Sequence, residues 1–218
     1  MSGHRRGGDL RRPAPRPLSG RRGNRVFYVV AEGEGTEYDY LQRTNALYGG
    51  DLKFFIQTPS QHRGLSASQV IDEADRVADE PGVEVWGLFD HDGRSDIDQV
   101  CARARRRGIN VALSHPAFEL WLLLHFKDFP PAAQSGSNRV IMEKLRAADP
   151  AFADYRDGKK RINERRFEAL RQNDGIRKAV ERSRRLANAY TYQTPDNQDP
   201  STGMHLLIED LGIVRRQR

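Results

Sequence analysis

A chain of 218 residues, 37% of them hydrophobic, can bury the core of one large domain or of one domain with a helical appendage. Its longest apolar run, 118–126, is about half the roughly 20 residues of a membrane span, and its single cysteine, Cys101, excludes an intramolecular disulfide and a cysteine-based zinc site. Residues 1–25 hold eight arginines against one acid, Asp9, so the 36 basic and 30 acidic residues of the whole chain fall to 28 and 29 beyond them. These features predict a cytoplasmic protein with no membrane partner and a basic tail over 1–25. That tail is rich in Gly, Pro and Arg, can bury little and is expected to be disordered. Such an arm either binds nucleic-acid phosphates or is simply solvated.

Strands and helices then alternate. Residues 26–31 are β-branched and aromatic without alternation, as in a strand buried on both faces. A Gly-rich exit leads into a helix expected over 36–47. A strand at 52–57, a helix capped by Ser66 and running to about 79, a strand at 83–89, a helix at 96–107 stopped by Gly108, and a strand at 109–113 follow. The pattern predicts an α/β domain over 26–130, with a mainly parallel four-stranded sheet, flanking helices and right-handed crossovers. Beyond Ser114 the periodicity is helical, at 116–126, 138–148, 160–171, 174–190 and 203–215, with a breaker-rich junction at 194–202. This gives a helical C-terminal region, 131–218, packed on the first. Pro116 suits a first helical position, with Ser114 or His115 near the cap.

Acids stand where such a sheet binds ligands, beyond the carboxyl ends of its strands. Glu32 follows the first strand, and Gly33 and Gly35 allow a tight turn away from it. Glu37 opens the next helix, where the macrodipole alone also favours a carboxylate. Asp90 and Asp92 form a D-x-D after the third strand; in extended chain both face one ion while His91 points away. Glu119 interrupts an apolar helix, and an unpaired buried carboxylate is costly, so it is expected to meet a metal cation or an arginine. Clustered carboxylates repel one another unless a cation lies between them, and oxygen ligands favour Mg²⁺ or Mn²⁺. The expected metal set is therefore Glu32, Glu37, Asp90, Asp92 and Glu119, with Glu32, Asp90 and Asp92 catalytic. The third glycine of a dinucleotide fingerprint is replaced by Glu37, and P-loop, H-E-x-x-H and Ser-His-Asp patterns are absent from the sequence.

Between 156 and 185, twelve Lys/Arg stand against five Asp/Glu. Ile162, Phe167, Leu170, Ile176, Val180 and Leu186 mark an inner face. Arg165, Arg166, Arg171, Arg177, Lys178, Arg182 and Arg185 are then left for an outer face, either solvated or suited to a nucleic-acid backbone.

Four motifs together resemble the RloB-like proteins over about 25–215. They are E-G-x-x-T-E (Glu32, Gly33, Thr36, Glu37), D-x-D (Asp90, Asp92), S-x-P-x-F-E-x-W-L-L-L-H (Ser114 to His125) and the ending Asn197-Gln-Asp-Pro-Ser-Thr202. The resemblance implies a first half like a Toprim domain, the metal-binding α/β module of topoisomerases, primases and related nucleases. Glu32 matches the Toprim glutamate, Asp90 and Asp92 its D-x-D, and Glu37 is similar to a second acid of the nuclease branch. It further implies a Mg²⁺- or Mn²⁺-dependent nuclease from a restriction or abortive-infection locus, acting against phage, with DNA or RNA as substrate and a partner ATPase. The alternative is a non-catalytic module that binds nucleic acid or nucleotide and regulates that ATPase. The nuclease-branch pattern includes a lysine, none lies near these motifs in the sequence, and Arg94 is the nearest stand-in.

Overall fold

The computed structural model describes residues 25–33, 35–58, 64–131 and 138–215; the expected tail, Arg25 apart, lies outside them. Five strands form one sheet in the order β2-β1-β3-β4-β5, with β1 Arg25–Ala31, β2 Phe54–Gln57, β3 Val83–Asp90, β4 Asn110–His115 and β5 Ser201–Thr202. The first four are parallel, and β5 is antiparallel to β4. The sequence suggested four strands and a junction over 194–202, whereas the end of that junction pairs with the sheet. Ser201 lies opposite His115 and Thr202 opposite Ser114. Two residues are too few to show a period, so β5 has no pattern of its own to reveal it.

The faces of β1 set the layers. Phe27, Val29 and Ala31 enter one core with Trp86 and Leu88 of β3, while Tyr28 and Val30 enter another with Val85 and Phe89. Helix α1 (Thr36–Leu52) lies on the first face; α2 (Ala67–Asp75) and α3 (Ile97–Arg106) lie on the second. Chirality accounts for the split. The chain moves one way along the sheet from β1 to β2 and the other way from β2 to β3 and β4, so right-handed crossovers place α1 opposite α2 and α3. A capping box fixes the start of α2: Ser66 Oγ accepts the Gln69 N–H at 3.3 Å, and Gln69 Oε1 accepts the Ser66 N–H at 2.8 Å.

The later helices, α4 (Glu119–Leu124), α5 (Asn138–Arg146), α6 (Glu164–Arg171), α7 (Gly175–Asn188) and α8 (Met204–Asp210), crowd onto the face of α1. One buried cluster runs from Phe27 and Tyr40 through Trp121 to Phe152, Val180 and Leu207. The core therefore continues through residue 130 without a break. The inner positions expected between 156 and 186 are all buried: Ile162, Phe167, Leu170, Ile176, Val180 and Leu186.

Helix α4 begins at Glu119 rather than at 116, because Ser114 and His115 are still in β4. Ser114 is thus no helix cap; its hydroxyl meets Thr202 Oγ1 at 3.0 Å. Among the described residues no helix is long and apolar enough to cross a membrane.

Candidate acidic site

Strand order reverses between β1 and β3, and a ligand crevice opens where neighbouring parallel strands send their connections to opposite faces. Ala31 pairs with Leu88, so Glu32 emerges beside the end of β3. Its Oε2 accepts the Asp90 N–H at 2.9 Å, and its Oε1 is bonded by the Arg94 guanidinium. Desolvation raises the Glu32 carboxyl above its ordinary range and outweighs the Asp90 N–H and Arg94, which act the other way.

Glu37 sits in the first turn of α1, directly beneath Gly33. A Cβ on Gly33 would lie 2.2 Å from Glu37 Oε2, and one on Gly35 would lie 2.9 Å from the Lys160 carbonyl oxygen. Neither glycine has positive φ. Their lack of a side chain therefore serves close approach and not the turn the sequence suggested. Burial pushes the Glu37 carboxyl up to about 7, with the charges of Glu119 and Glu32 adding to the shift.

Asp90 ends β3. Desolvation raises its carboxyl well above the usual range, followed by repulsion from Glu37, Glu119, Asp92 and Glu32. Asp92 corrects the extended-chain argument: its φ is 49°, beyond the strand and in the left-handed region. It reaches the crevice from a turn and not by strand alternation. His91 is buried and is not part of the cleft lining; it stacks on His115 with ring centroids 3.7 Å apart and meets Asp196 Oδ1 at 2.8 Å.

Glu119, the first residue of α4, is 5% exposed. Its Oε1 lies 3.1 Å from Lys160 Nζ and accepts the Tyr155 hydroxyl at 3.3 Å; its Oε2 accepts Asn138 Nδ2 at 3.1 Å. The charged partner that burial demanded is met by an ammonium, where the sequence suggested a metal cation or an arginine. Desolvation opposes the charge on Lys160, yet Glu119 and Asp157 hold it above the ordinary lysine range. Lys160, Tyr155 and Asn138 escaped the sequence reading. Nothing local separates Lys160 from Lys159, and the loop that carries it reaches the site only by packing on α1.

Glu32, Glu37, Asp90, Asp92, Arg94 and Gln69 line a common cleft of about 480 Å³; Glu119 is not part of its lining, but its charge acts on Glu37 and Asp90. Among the described residues no three His, Cys, Asp or Glu side chains are gathered tightly enough to hold a metal ion. The donor chemistry is nonetheless that of a hard cation, since every acid in the cleft offers oxygen alone.

The arginines singled out on α6 and α7 are mostly engaged. Arg166 is 4% exposed and donates to the carbonyls of Ala151, Lys159 and Arg161 and to Asp154. Against expectation it is a structural strut and not a surface contact, because its charge satisfies a ring of loop carbonyls. Arg165 reaches Pro150 O at 3.3 Å, Arg171 pairs with Glu168, and Arg177 pairs with Asp174 and Glu181. Arg182 donates to Leu124 O at 2.7 Å, and Arg185 pairs with Asp128. Lys178 lies on α7, partly exposed.

The fold and the cleft define an α/β protein with a mostly parallel sheet and a cluster of carboxylates at its switch point. The chain matches the family model for RloB-like protein over residues 27–211, and it belongs to that family. No curated protein and no solved structure gives a significant match.

Proposed function

We propose that the chain is a Mg²⁺- or Mn²⁺-dependent nuclease with a Toprim-like site, working in phage defence beside a partner ATPase. One observation carries the reading. Four carboxylates, Glu32, Glu37, Asp90 and Asp92, share one cleft at the β1/β3 switch point, and burial first, with repulsion from neighbouring acids added to it, holds Glu37 and Asp90 above their ordinary range. Such crowding is relieved by a divalent cation. Asp90 and Asp92, with Glu37, are the residues to hold it; Glu119 is already committed to Lys160. A bound ion supplies Lewis-acid polarisation of a phosphodiester and a water acidic enough to ionise at neutral pH. Glu32, with its raised carboxyl, takes a proton from the attacking water, and Arg94 in the cleft, with Lys160 close enough for its charge to act on Glu37, brings positive charge to a phosphoryl oxygen. The motif resemblance supports the setting in phage defence.

The test is incubation of the purified chain with plasmid, single-stranded DNA and tRNA, with Mg²⁺, Mn²⁺ or chelator, beside Asp90→Asn and Glu37→Gln. Metal-dependent cleavage lost in both variants is expected. Equal cleavage by all three proteins would sink the site. Binding of nucleic acid without cleavage in any of them would favour the regulatory module instead.

A further inference from the structure

One face of α1 is a platform for a distant segment. Thr36, Asp39 and Arg43 recur at helical spacing, and each bonds the stretch 155–164. Thr36 Oγ1 lies 2.9 Å from the Tyr155 hydroxyl and donates to the Lys160 carbonyl at 2.9 Å. The Asp39 carboxylate accepts Arg161 Nε and Nη2, each at 2.7 Å, and the Ile162 N–H at 2.9 Å. Arg43 Nε donates to the Ile162 carbonyl at 2.5 Å, and its guanidinium pairs with Glu164. Lys160 is thus fastened through its own backbone and through both flanks, and its ammonium stands at Glu119, which also receives Tyr155.

Thr36 shows that this arrangement is more than loop packing. The N-cap of α1 is Gly35, which has no side chain to give to the helix's free N–H groups. Thr36, the first residue of α1 and 6% exposed, turns its hydroxyl to the distant segment, where it meets both Tyr155 and the Lys160 carbonyl. Gly35 beside it leaves room for the Lys160 carbonyl.

We infer that Thr36 and Asp39 are positioning residues, whose bonds to 155–162 set the Lys160 ammonium against Glu119 at the edge of the acidic cleft. The catalytic consequence rests on the nuclease reading above; the positioning itself does not. The test uses the full chain with ¹³C-labelled lysine, the Lys160 Cε–Hε cross-peak being assigned with Lys160→Met. In Thr36→Val that cross-peak should move to the region of exposed lysines such as Lys53, and Thr36→Ser should restore it. With nucleic acid as substrate, Thr36→Val should lower kcat about a hundredfold, the cost of an ångström's misplacement, at unchanged KM. Asp39→Asn, which loosens Arg161 and Ile162, carries the same two readouts if Thr36→Val does not fold. An unmoved Lys160 cross-peak in a folded variant overturns the inference. A moved cross-peak in Thr36→Val, where the wild-type chain itself cleaves nothing, upholds the positioning and overturns the nuclease.

Discussion

Glu37 and Asp90 carry the electrostatic strain of the cleft, and that strain should appear in the pH dependence of stability. The Glu37 carboxyl rises from 4.5 to about 7 on folding. The folded chain therefore binds this proton more tightly than the unfolded one, and without metal its stability falls as pH climbs through that window. Asp90 and Glu32, also raised, act in the same sense. Urea midpoints measured from acid to neutral pH should fall along this slope and fall less steeply in Glu37→Gln; an equal slope in the variant would remove Glu37 from the account. Addition of Mg²⁺ or Mn²⁺ at neutral pH should recover the lost stability in wild type and not in Asp90→Asn. The Lys160–Glu119 pair makes a second test. Removing the ammonium by Lys160→Met leaves a buried carboxylate without its charge partner and should cost about 2 kcal/mol, reduced from the full buried-pair value because Lys160 keeps some solvent. Glu119→Leu in the same chain should return most of that loss, and a double-mutant cycle with no coupling would mean the pair is incidental.

At the scale of elements, the site is assembled from segment ends. Glu32 directly follows β1 and Asp90 ends β3, Glu37 and Glu119 lie in the first turns of α1 and α4, and Lys160 lies in the loop before α6. The joint between that loop and α1 is tight enough to leave no room for a methyl group on Gly35. Gly35→Ala would bring its Cβ to 2.9 Å from the Lys160 carbonyl oxygen, and backbone must then shift. We expect a loss of about 1–2 kcal/mol in urea unfolding, as for other overpacked contacts, together with a displaced Lys160 resonance. A fully stable Gly35→Ala chain with Lys160 unmoved would show that the loop has slack.

At the scale of the molecule, the two halves of the chain share one core. Phe27, Val29, Trp86 and Leu88 of the sheet are buried in the same cluster as Phe152, Val180 and Leu207. A fragment ending at residue 130 would expose that face of the sheet and would lose β5 from its edge. It should bind a hydrophobic dye and unfold without a cooperative transition, while the full chain unfolds in one step. Cooperative unfolding of the fragment would make the first half an independent domain.

Much of this was legible from residue order alone. The β1, β3 and β4 runs are apolar because they are covered on both faces, so their signal is local and dense. The acids that follow them stand out against it, as does Glu119 within an apolar helix. Local chemistry also fixed the Ser66 cap and the inner face of α6 and α7. Contacts between remote segments decided the rest. Asp92 reaches the cleft from a left-handed turn, β5 is recognisable only by its pairing with Ser114 and His115, and Arg166 is spent on loop carbonyls. Above all, the partner of Glu119 is a lysine 41 positions downstream, one of two adjacent lysines that the sequence does not distinguish. Burial of an acid dictates that a cation must meet it; which cation does so depends on how Thr36 and Asp39 fasten a distant loop, and that is a property of the packed chain.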